Sequence, residues 1–308
     1  MAALEALLRE QAMGDPGLAG MLATYGGRPA FFYSKSPPDT DRNWRKPCYP
    51  RADFGIDMRH DPERKVSGSI TVNVFCTAES GAMPEEIERR LVGLVSGTFY
   101  SGQDMDTVCA VWERTDSFDD AGGGTPEVFG ATATFGLMAF PAQATSEPDP
   151  IAALNAWTLS NFPEAATITA SALPPIWRPT DDRPAIYWRP DGAETTDRQS
   201  HAVTWYSGQY AAHIIADGVA ARWRWAKAMA ERMQRDGEAP MLDGSPLFAQ
   251  RISVRHGADP LREGQLILSG QYGILEQHRW EQAAEPLNNI IFPGFKGANH
   301  DKGKRYNG

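Results

Sequence analysis

The amino-acid sequence predicts an α+β fold with two similar domains, each a mainly antiparallel sheet covered on one face by two helices. Three observations support this prediction. Several segments alternate apolar and polar residues, which is the pattern of strands with one buried face. Other segments repeat apolar residues every three or four positions, as amphipathic helices do. Both halves of the chain place these segments in one order: helix, strand, strand, helix, strand, strand.

The first half opens with a short helix whose apolar residues are Leu4, Leu7 and Leu8. A proline-rich loop from Gly26 to Asp53 follows, and SGSITVNVFC then alternates as a strand. A proline, two glutamates and a final glycine delimit an amphipathic helix between Pro84 and Gly97. Two strands, TVCAVWER and VFGATATFGLMAF, close this half across a glycine-rich turn.

The second half repeats this order. Asp149 and Pro150 begin the helix IAALNAW, and RPAIYWRP and HAVTWYSGQYAAHII are predicted strands. Asp217 is predicted to cap the next helix, and RISVR and GQLILSGQYGILEQ are the last two strands. The predicted buried face of that helix consists of Val219, Trp223, Ala226, Ala230 and Met233.

A tandem duplication of one domain explains the repeated order, and the alternative is a single α/β fold in which the repetition is accidental. The halves share no long string of residues, so the hypothesis depends on the order and spacing of elements. The proline-rich segment from Pro141 to Pro150 marks the boundary. The predicted domains are therefore residues 1–143 and 144–295, followed by a flexible basic tail, residues 296–308.

The composition excludes several classes of protein. A hydrophobic content of 42% supplies a core, and the net charge of −9 is opposite to that of most nucleic-acid-binding proteins. No apolar run approaches the roughly 18 residues of a membrane-spanning helix. Cys48, Cys76 and Cys109 are odd in number and far apart, so neither a disulfide framework nor a zinc site is predicted. A reducing compartment fits this cysteine usage.

Motifs of catalytic and cofactor chemistry are absent from the sequence. It contains no GxxxxGK[ST] or GxGxxG phosphate loop, no GxSxG nucleophile elbow and no HExxH metal motif. Cys48 lies near Arg45 and Lys46, where a thiolate is favoured, but the sequence identifies no base for it. We therefore predict no catalytic residue, no metal and no cofactor, and a protein that is not an enzyme. An intermolecular disulfide through Cys48 stays open.

The last strand of each half carries apolar residues on both faces. Phe135 and Leu137 lie opposite Met138 in the first half, and Leu268 lies opposite Ile267 in the second. Two explanations remain open. The second face packs against another subunit, or it is covered by the other domain of the same chain.

The element order resembles that of the tail terminator and tail completion proteins of tailed bacteriophages. A proline-flanked aromatic and aliphatic strand supports the resemblance, at Arg183 to Trp188 and less clearly at Lys46 to Ile56. The resemblance covers both halves, each as one copy, and implies a small sheet covered by helices on one side. Family members usually hold one such domain and a shorter first loop, so this chain departs from them in both respects.

The resemblance implies a structural virion protein located in the tail or neck and made in the host bacterial cytoplasm. Its copies form a ring that caps the tail tube and joins it to the head-side connector and, in contractile phages, to the sheath. The ring is a hexamer, or a trimer with pseudo-sixfold symmetry. Neither sequence-specific nucleic-acid binding nor membrane association is expected. The alternatives are another phage neck, tail or baseplate adaptor, and an enzyme with a cleft between its domains.

Interface residues are predicted from exposed aromatic and basic positions. Trp44 in the first loop is a candidate aromatic anchor. Trp225 lies two positions after Trp223, so the two rings cannot share a helix face, and we assign Trp225 to a partner. The basic residues of the tail complete the set: Lys296, Lys302, Lys304 and Arg305.

Overall fold

The computed structural model describes residues 2–58, 66–102, 105–120, 127–143, 147–199 and 203–275. This part of the chain is a mixed α and β structure, mostly sheet, with five helices and three sheets. The helices are α1 (Ala2–Gly14), α2 (Pro16–Met21), α3 (Pro84–Val95), α4 (Pro150–Asn161) and α5 (Val219–Asp236).

The strands before α4 are β1 (Thr24–Tyr25), β2 (Arg28–Pro29), β3 (Phe31–Tyr33), β4 (Trp44–Arg45), β5 (Arg51–Met58), β6 (Val66–Thr77), β7 (Phe99–Gly102), β8 (Met105–Asp120) and β9 (Val128–Phe140). Those after α4 are β10 (Ala166–Thr167), β11 (Ile176–Trp177), β12 (Ala185–Gln199), β13 (Val203–Ile215), β14 (Glu238–Pro240), β15 (Pro246–Val254) and β16 (Leu266–Leu275).

The first sheet has seven strands in the order β11-β7-β8-β9-β6-β5-β3. All neighbours are antiparallel except β3, which runs parallel to β5. Three helices pack on one face through Leu8 of α1, Leu18 of α2 and Leu91 of α3. The sequence predicted two. It missed α2, which begins where Asp15 accepts a hydrogen bond of 2.7 Å from the Leu18 N–H.

The second sheet has six strands in the order β10-β12-β13-β16-β15-β14. Here β10 runs parallel to β12 and every other pair is antiparallel. Both α4 and α5 contribute to its core, through Leu154 of α4 and Met229 of α5. Asp149 caps α4 and accepts hydrogen bonds from the Ile151 and Ala152 N–H groups at 2.8 and 3.1 Å.

Apart from β11, which is added at the β7 edge of the first sheet, the two sheets have the same strand order when their strands are followed along the chain. In both, a short parallel strand forms one edge, two long strands follow, a helix intervenes, and three strands complete the sheet. The matching sets are β3, β5, β6, α3, β7, β8, β9 and β10, β12, β13, α5, β14, β15, β16. The first strand after the intervening helix, β7 or β14, therefore lies at the edge of this shared set opposite the short parallel strand.

The predicted first loop contains a small sheet of its own, with strand order β2-β1-β4. No alternating pattern is visible in this part of the sequence, because the three strands have two residues each, which is too short for a period to appear. Trp44 and Tyr25 pair across this sheet, and both belong to a cluster beside the first sheet.

The prediction of which side chains of α5 are buried is wrong for the first turns of the helix. Val219 is 68% exposed and Trp223 is 37% exposed, whereas Ala226, Met229 and Met233 are buried. Small and flexible side chains allow the helix to approach the sheet closely, and a tryptophan would hold it away. The helix also begins after Gly218, with no side-chain cap from Asp217.

The second face of β9 is covered within the chain at its C-terminal end. Met138 and Phe140 are buried there in a cluster shared with Tyr187 and Ile215 of the second sheet. Of the two explanations that the sequence left open, covering by the other half therefore holds for this part of β9. Phe135 and Leu137 point to the opposite face and pack beneath the helices.

Candidate interaction surfaces

One contact between the two halves is made by β11, a second-half strand that extends the first sheet. Trp177 pairs with Phe99 of β7, and their ring centroids are 4.9 Å apart. Phe140 contacts Phe99 at 5.4 Å and Tyr187 at 5.2 Å. This aromatic cluster closes the β7 edge and leaves the Phe99 side chain fully buried.

Arg178, the residue after β11, caps the C-terminal end of α3. Its Nη2 atom donates to the carbonyl oxygens of Gly93, Leu94 and Ser96 at 2.6, 2.7 and 2.8 Å. The final carbonyls of a helix have no partner within the helix and carry partial negative charge. A guanidinium from the second half therefore satisfies a helix end in the first half.

A buried tyrosine holds the segment that connects the halves. The Tyr187 hydroxyl donates to the Pro141 carbonyl oxygen at 2.9 Å and accepts from Gln143 Nε2 at 2.6 Å. Because both partners lie in the connecting segment, the orientation of that segment is tied to strand β12.

Trp44, the predicted anchor in the first loop, is only 7% exposed. Its ring lies 4.9 Å from Tyr25 and 5.8 Å from Phe32, and its Nε1 donates to the Pro38 carbonyl at 3.1 Å. The indole thus anchors the loop to its own chain, since the loop folds into a small sheet rather than projecting. Its contact with a partner stays a prediction.

The same loop contains a compact network around Arg51. The guanidinium lies 4.4 Å from the Tyr49 ring centroid and pairs with Asp39 at 2.6 Å. Burial raises the pKa of Tyr49 to about 12, so its hydroxyl stays protonated and donates to Asp39 at 3.0 Å. Cys48 is free, 5% exposed and packed in the neighbouring cluster. An intermolecular disulfide would require this thiol to leave that cluster.

Trp225 and Trp223 lie on different faces of α5, as the spacing predicts. Trp225 is half-buried, donates from Nε1 to the Asp181 carbonyl at 2.9 Å and packs beside Phe162. Trp223 is the more exposed ring and stacks on His256. The assignment of Trp225 to a partner stays a prediction, and Trp223 offers more accessible surface. The predicted tail residues, Lys296, Lys302, Lys304 and Arg305, lie outside the described residues.

Sequence reasoning missed two exposed apolar side chains beside the β14 edge. Leu242, in the turn after β14, is 81% exposed, and Phe248 of β15 is 39% exposed. The signal was present, because Leu242 directly precedes the Asp-Gly pair of a turn, where an apolar residue has no core to enter. Such side chains are typical of contact surfaces.

The β14 edge is the last strand of the second sheet, and no strand of the described residues pairs with its outer side. Ala239 is buried, while Glu238 and Pro240 are exposed. Proline removes one backbone donor from the edge, which limits how far another strand can pair there.

The described residues include one buried histidine, His213. Among these residues no group of three or more His, Cys, Asp and Glu is placed to hold a metal ion. The buried His213 accepts from Arg189 Nε at 3.0 Å, and its Nδ1 lies 2.8 Å from the Pro260 carbonyl oxygen. This is the bonding of a neutral imidazole that donates through Nδ1. An open groove of about 780 Å³ runs beside α1, and its Glu5 and Arg9 pair with each other at 3.4 Å.

Comparisons of the sequence with family models, with curated proteins and with solved structures give no match. No helix in the described ranges has the length and apolar character needed to cross a membrane.

Proposed function

We propose that this protein is a structural component that assembles with copies of itself, built from two copies of one domain. The observation that carries the proposal is the strand order that the two sheets share. In each half a helix also precedes the short parallel strand, and a second helix, α3 or α5, follows the second long strand. Each copy is then an antiparallel sheet covered on one face by helices, with α2 an addition to the first copy.

Two copies of one domain present similar surfaces at different places on the chain. The first copy receives β11 at its β7 edge, while no strand in the described part of the chain pairs with the matching β14 edge of the second copy. Different surfaces that meet between copies form head-to-tail contacts, and such contacts close into rings when the rotation between neighbours permits. Duplicated chains give a ring of six pseudo-equivalent domains from three copies, or twelve from six.

Within this class, we propose a tail-terminator-type ring that caps a phage tail tube and joins it to the head-side connector. A ring component requires self-contacts and a scaffold of rigid sheets, and it requires no catalytic site. The acidic chain suits a passage for DNA, because negative walls do not retain a polyanion.

Size-exclusion chromatography with multi-angle light scattering, with and without tail tubes, tests this proposal. The expected result is a species of three or six copies of the 33.8 kDa chain, and rings at the head-proximal end of tubes in negative-stain images. A protein that stays monomeric at every concentration and does not bind tubes would refute it. Binding at the distal end would instead identify a baseplate adaptor.

A further inference from the structure

Two Trp-Arg dipeptides occupy matching positions in the two halves. Trp44–Arg45 and Trp177–Arg178 each lie between the short parallel edge strand and the long strand that follows. Each tryptophan stands eight positions before an alanine, Ala52 or Ala185, at which the long strand begins to pair with its parallel neighbour. The two dipeptides are therefore equivalent in sequence register as well as in topology.

The second-half dipeptide bridges the two halves, and the first-half dipeptide does not. Trp177 pairs with β7 and Arg178 caps α3, whereas β4 pairs with β1 and forms the outer strand of the small sheet. The Gly26 N–H donates to the Asn43 carbonyl, so the backbone groups of Asn43 face β1. Successive residues of an antiparallel strand direct their backbone groups to opposite sides. The carbonyl of the next residue, Trp44, therefore points away from β1. The Arg45 side chain is exposed and forms no hydrogen bond or ion pair with the residues that the structure describes.

The β14 edge matches the β7 edge that receives β11. Ala110 donates to the Thr98 carbonyl at 3.1 Å beside β7, and Ala249 donates to the Gly237 carbonyl at 2.8 Å beside β14. Glu238 therefore takes the place of Phe99, with its backbone N–H and C=O directed outward. Pro240 takes the place of Ser101 and has no N–H, so pairing is restricted to Glu238. A two-residue partner such as β4 needs no more than this.

We propose that β4 of one copy pairs with β14 of the next copy and places Arg45 at the C-terminal end of α5, repeating between chains the contact that β11 and Arg178 make within one chain. The inference rests on the proposed self-assembly.

Charge and exposure at the two edges favour this occupant. Arg42, Arg45 and Lys46 are exposed and basic on the β4 side, and Glu238 is exposed and acidic on the β14 side. Leu242, beside β14, supplies an exposed apolar contact. A β14–β14 pairing between two copies would instead bring two acidic edges together. The last turn of α5 already contains Arg235, so Arg45 binds there less strongly than Arg178 binds α3.

Cross-linking of the native side chains tests the proposed geometry. Equal amounts of ¹⁵N-labelled and unlabelled protein are mixed and treated with a zero-length carbodiimide, which joins an amine to a carboxylate in direct contact. Peptides joining Lys46 to Glu238 are expected in mixed-label pairs, which arise only between chains. Oligomers in which this peptide pair is missing, or is found only within single chains, would overturn the inference and leave the proposed function intact.

A pair of arginine variants provides the second measurement. Arg45→Ala is expected to weaken self-association about tenfold, the loss of one charge-assisted hydrogen bond. Arg28→Ala, at an exposed arginine of β2 on the opposite edge of the small sheet, is the matched control and should leave association unchanged. Thermal melts at dilute concentration confirm that both variants fold. Equal association of Arg45→Ala and the original chain would overturn the inference, and a protein that never associates would overturn the proposed function as well.

Discussion

The two Trp-Arg dipeptides have the same local sequence and matching positions, but their side chains have different surroundings. Trp177 packs against Phe99 and Arg178 caps α3, so the second-half dipeptide joins the halves. Trp44 packs among rings of its own loop, and Arg45 points to solvent. The shared topology determines which sheet edge and helix end each dipeptide can contact. The residues at that edge and helix end then decide whether the dipeptide binds.

The edges that correspond to these dipeptides differ in the same way. β7 presents Phe99, a fully buried apolar side chain, while β14 presents Glu238, an exposed carboxylate, at the matching position. An edge with a buried aromatic needs a permanent cover, because an exposed one would aggregate. A charged edge ending in Pro240 tolerates water and can release a partner, so the two edges suit a permanent and a reversible contact.

The largest effect is expected at the covered edge. Phe99→Ala should lower the free energy of unfolding by about 3–5 kcal/mol, because it opens a cavity in the aromatic cluster between the halves. Glu238→Ala, at the matching position, should change it by less than about 0.5 kcal/mol. Urea denaturation of both variants measures the difference. An equal cost at the two positions would contradict the comparison of the edges.

The second expected effect is at the arginines. Arg178→Ala should destabilise the chain by about 1–2 kcal/mol, because three carbonyls at the end of α3 lose a charged donor that is partly screened by solvent. Arg45→Ala should leave the dilute, unassociated protein within about 0.5 kcal/mol of the original. Thermal and urea unfolding of the two variants provides the check. A stability loss for Arg45→Ala would reveal a contact within the chain.

A third prediction concerns a feature that the halves share. Gly97 and Gly237 follow the helix between the second and third long strands, with φ of 78° and 74°. Replacing either with alanine should cost about 1 kcal/mol, because L-residues are strained at positive φ. Gly257→Ala, at an exposed glycine with open space and no positive φ, is the control. Markedly unequal costs at Gly97 and Gly237 would show that the two helix ends do not depend equally on a positive φ.

The smallest expected effect is a pH dependence of stability, at the ion pair between Asp15, which caps α2, and Arg90 of α3. Arg90 donates to Asp15 at 2.9 Å and lowers the pKa of that carboxyl. The stabilisation by this ion pair is therefore complete when the pH is above 3.8, the pKa of Asp15 in the unfolded chain. It is lost as the pH falls through the lower pKa that Asp15 has in the folded chain. Asp15→Asn, which keeps a capping side chain, should cost less than about 1 kcal/mol at pH 7, and this cost should shrink as the pH falls through the lowered pKa.

Asp149→Asn is the matched control for that measurement, since Asp149 caps α4 through backbone N–H groups without an arginine bonded to it in the described structure. Unfolding curves recorded between pH 2 and pH 7 compare the two variants. A loss for Asp15→Asn that persists unchanged at pH 2 would show that the charge of Asp15 is not responsible.

Much of the secondary structure followed from local patterns. The helix start at Pro84 and the helix beginning at Pro150 were predicted within a residue, because proline and acidic caps act on the backbone directly beside them. The strands around Val72 and Phe135 followed from their alternation. The small sheet of the first loop and the face of α5 were missed, because short strands carry no period and two adjacent helix stripes were both apolar enough to be buried.

The sequence by itself determined the longer helices and strands and the order in which they recur, since caps, prolines and apolar periods act over a few residues. Only the tertiary structure decided that β11 crosses to the first sheet, that Arg178 caps α3 and that no strand of the described residues covers the β14 edge. These depend on side chains that are far apart along the chain, such as Arg178 and Thr98 at a separation of 80 positions, and no local period encodes such contacts.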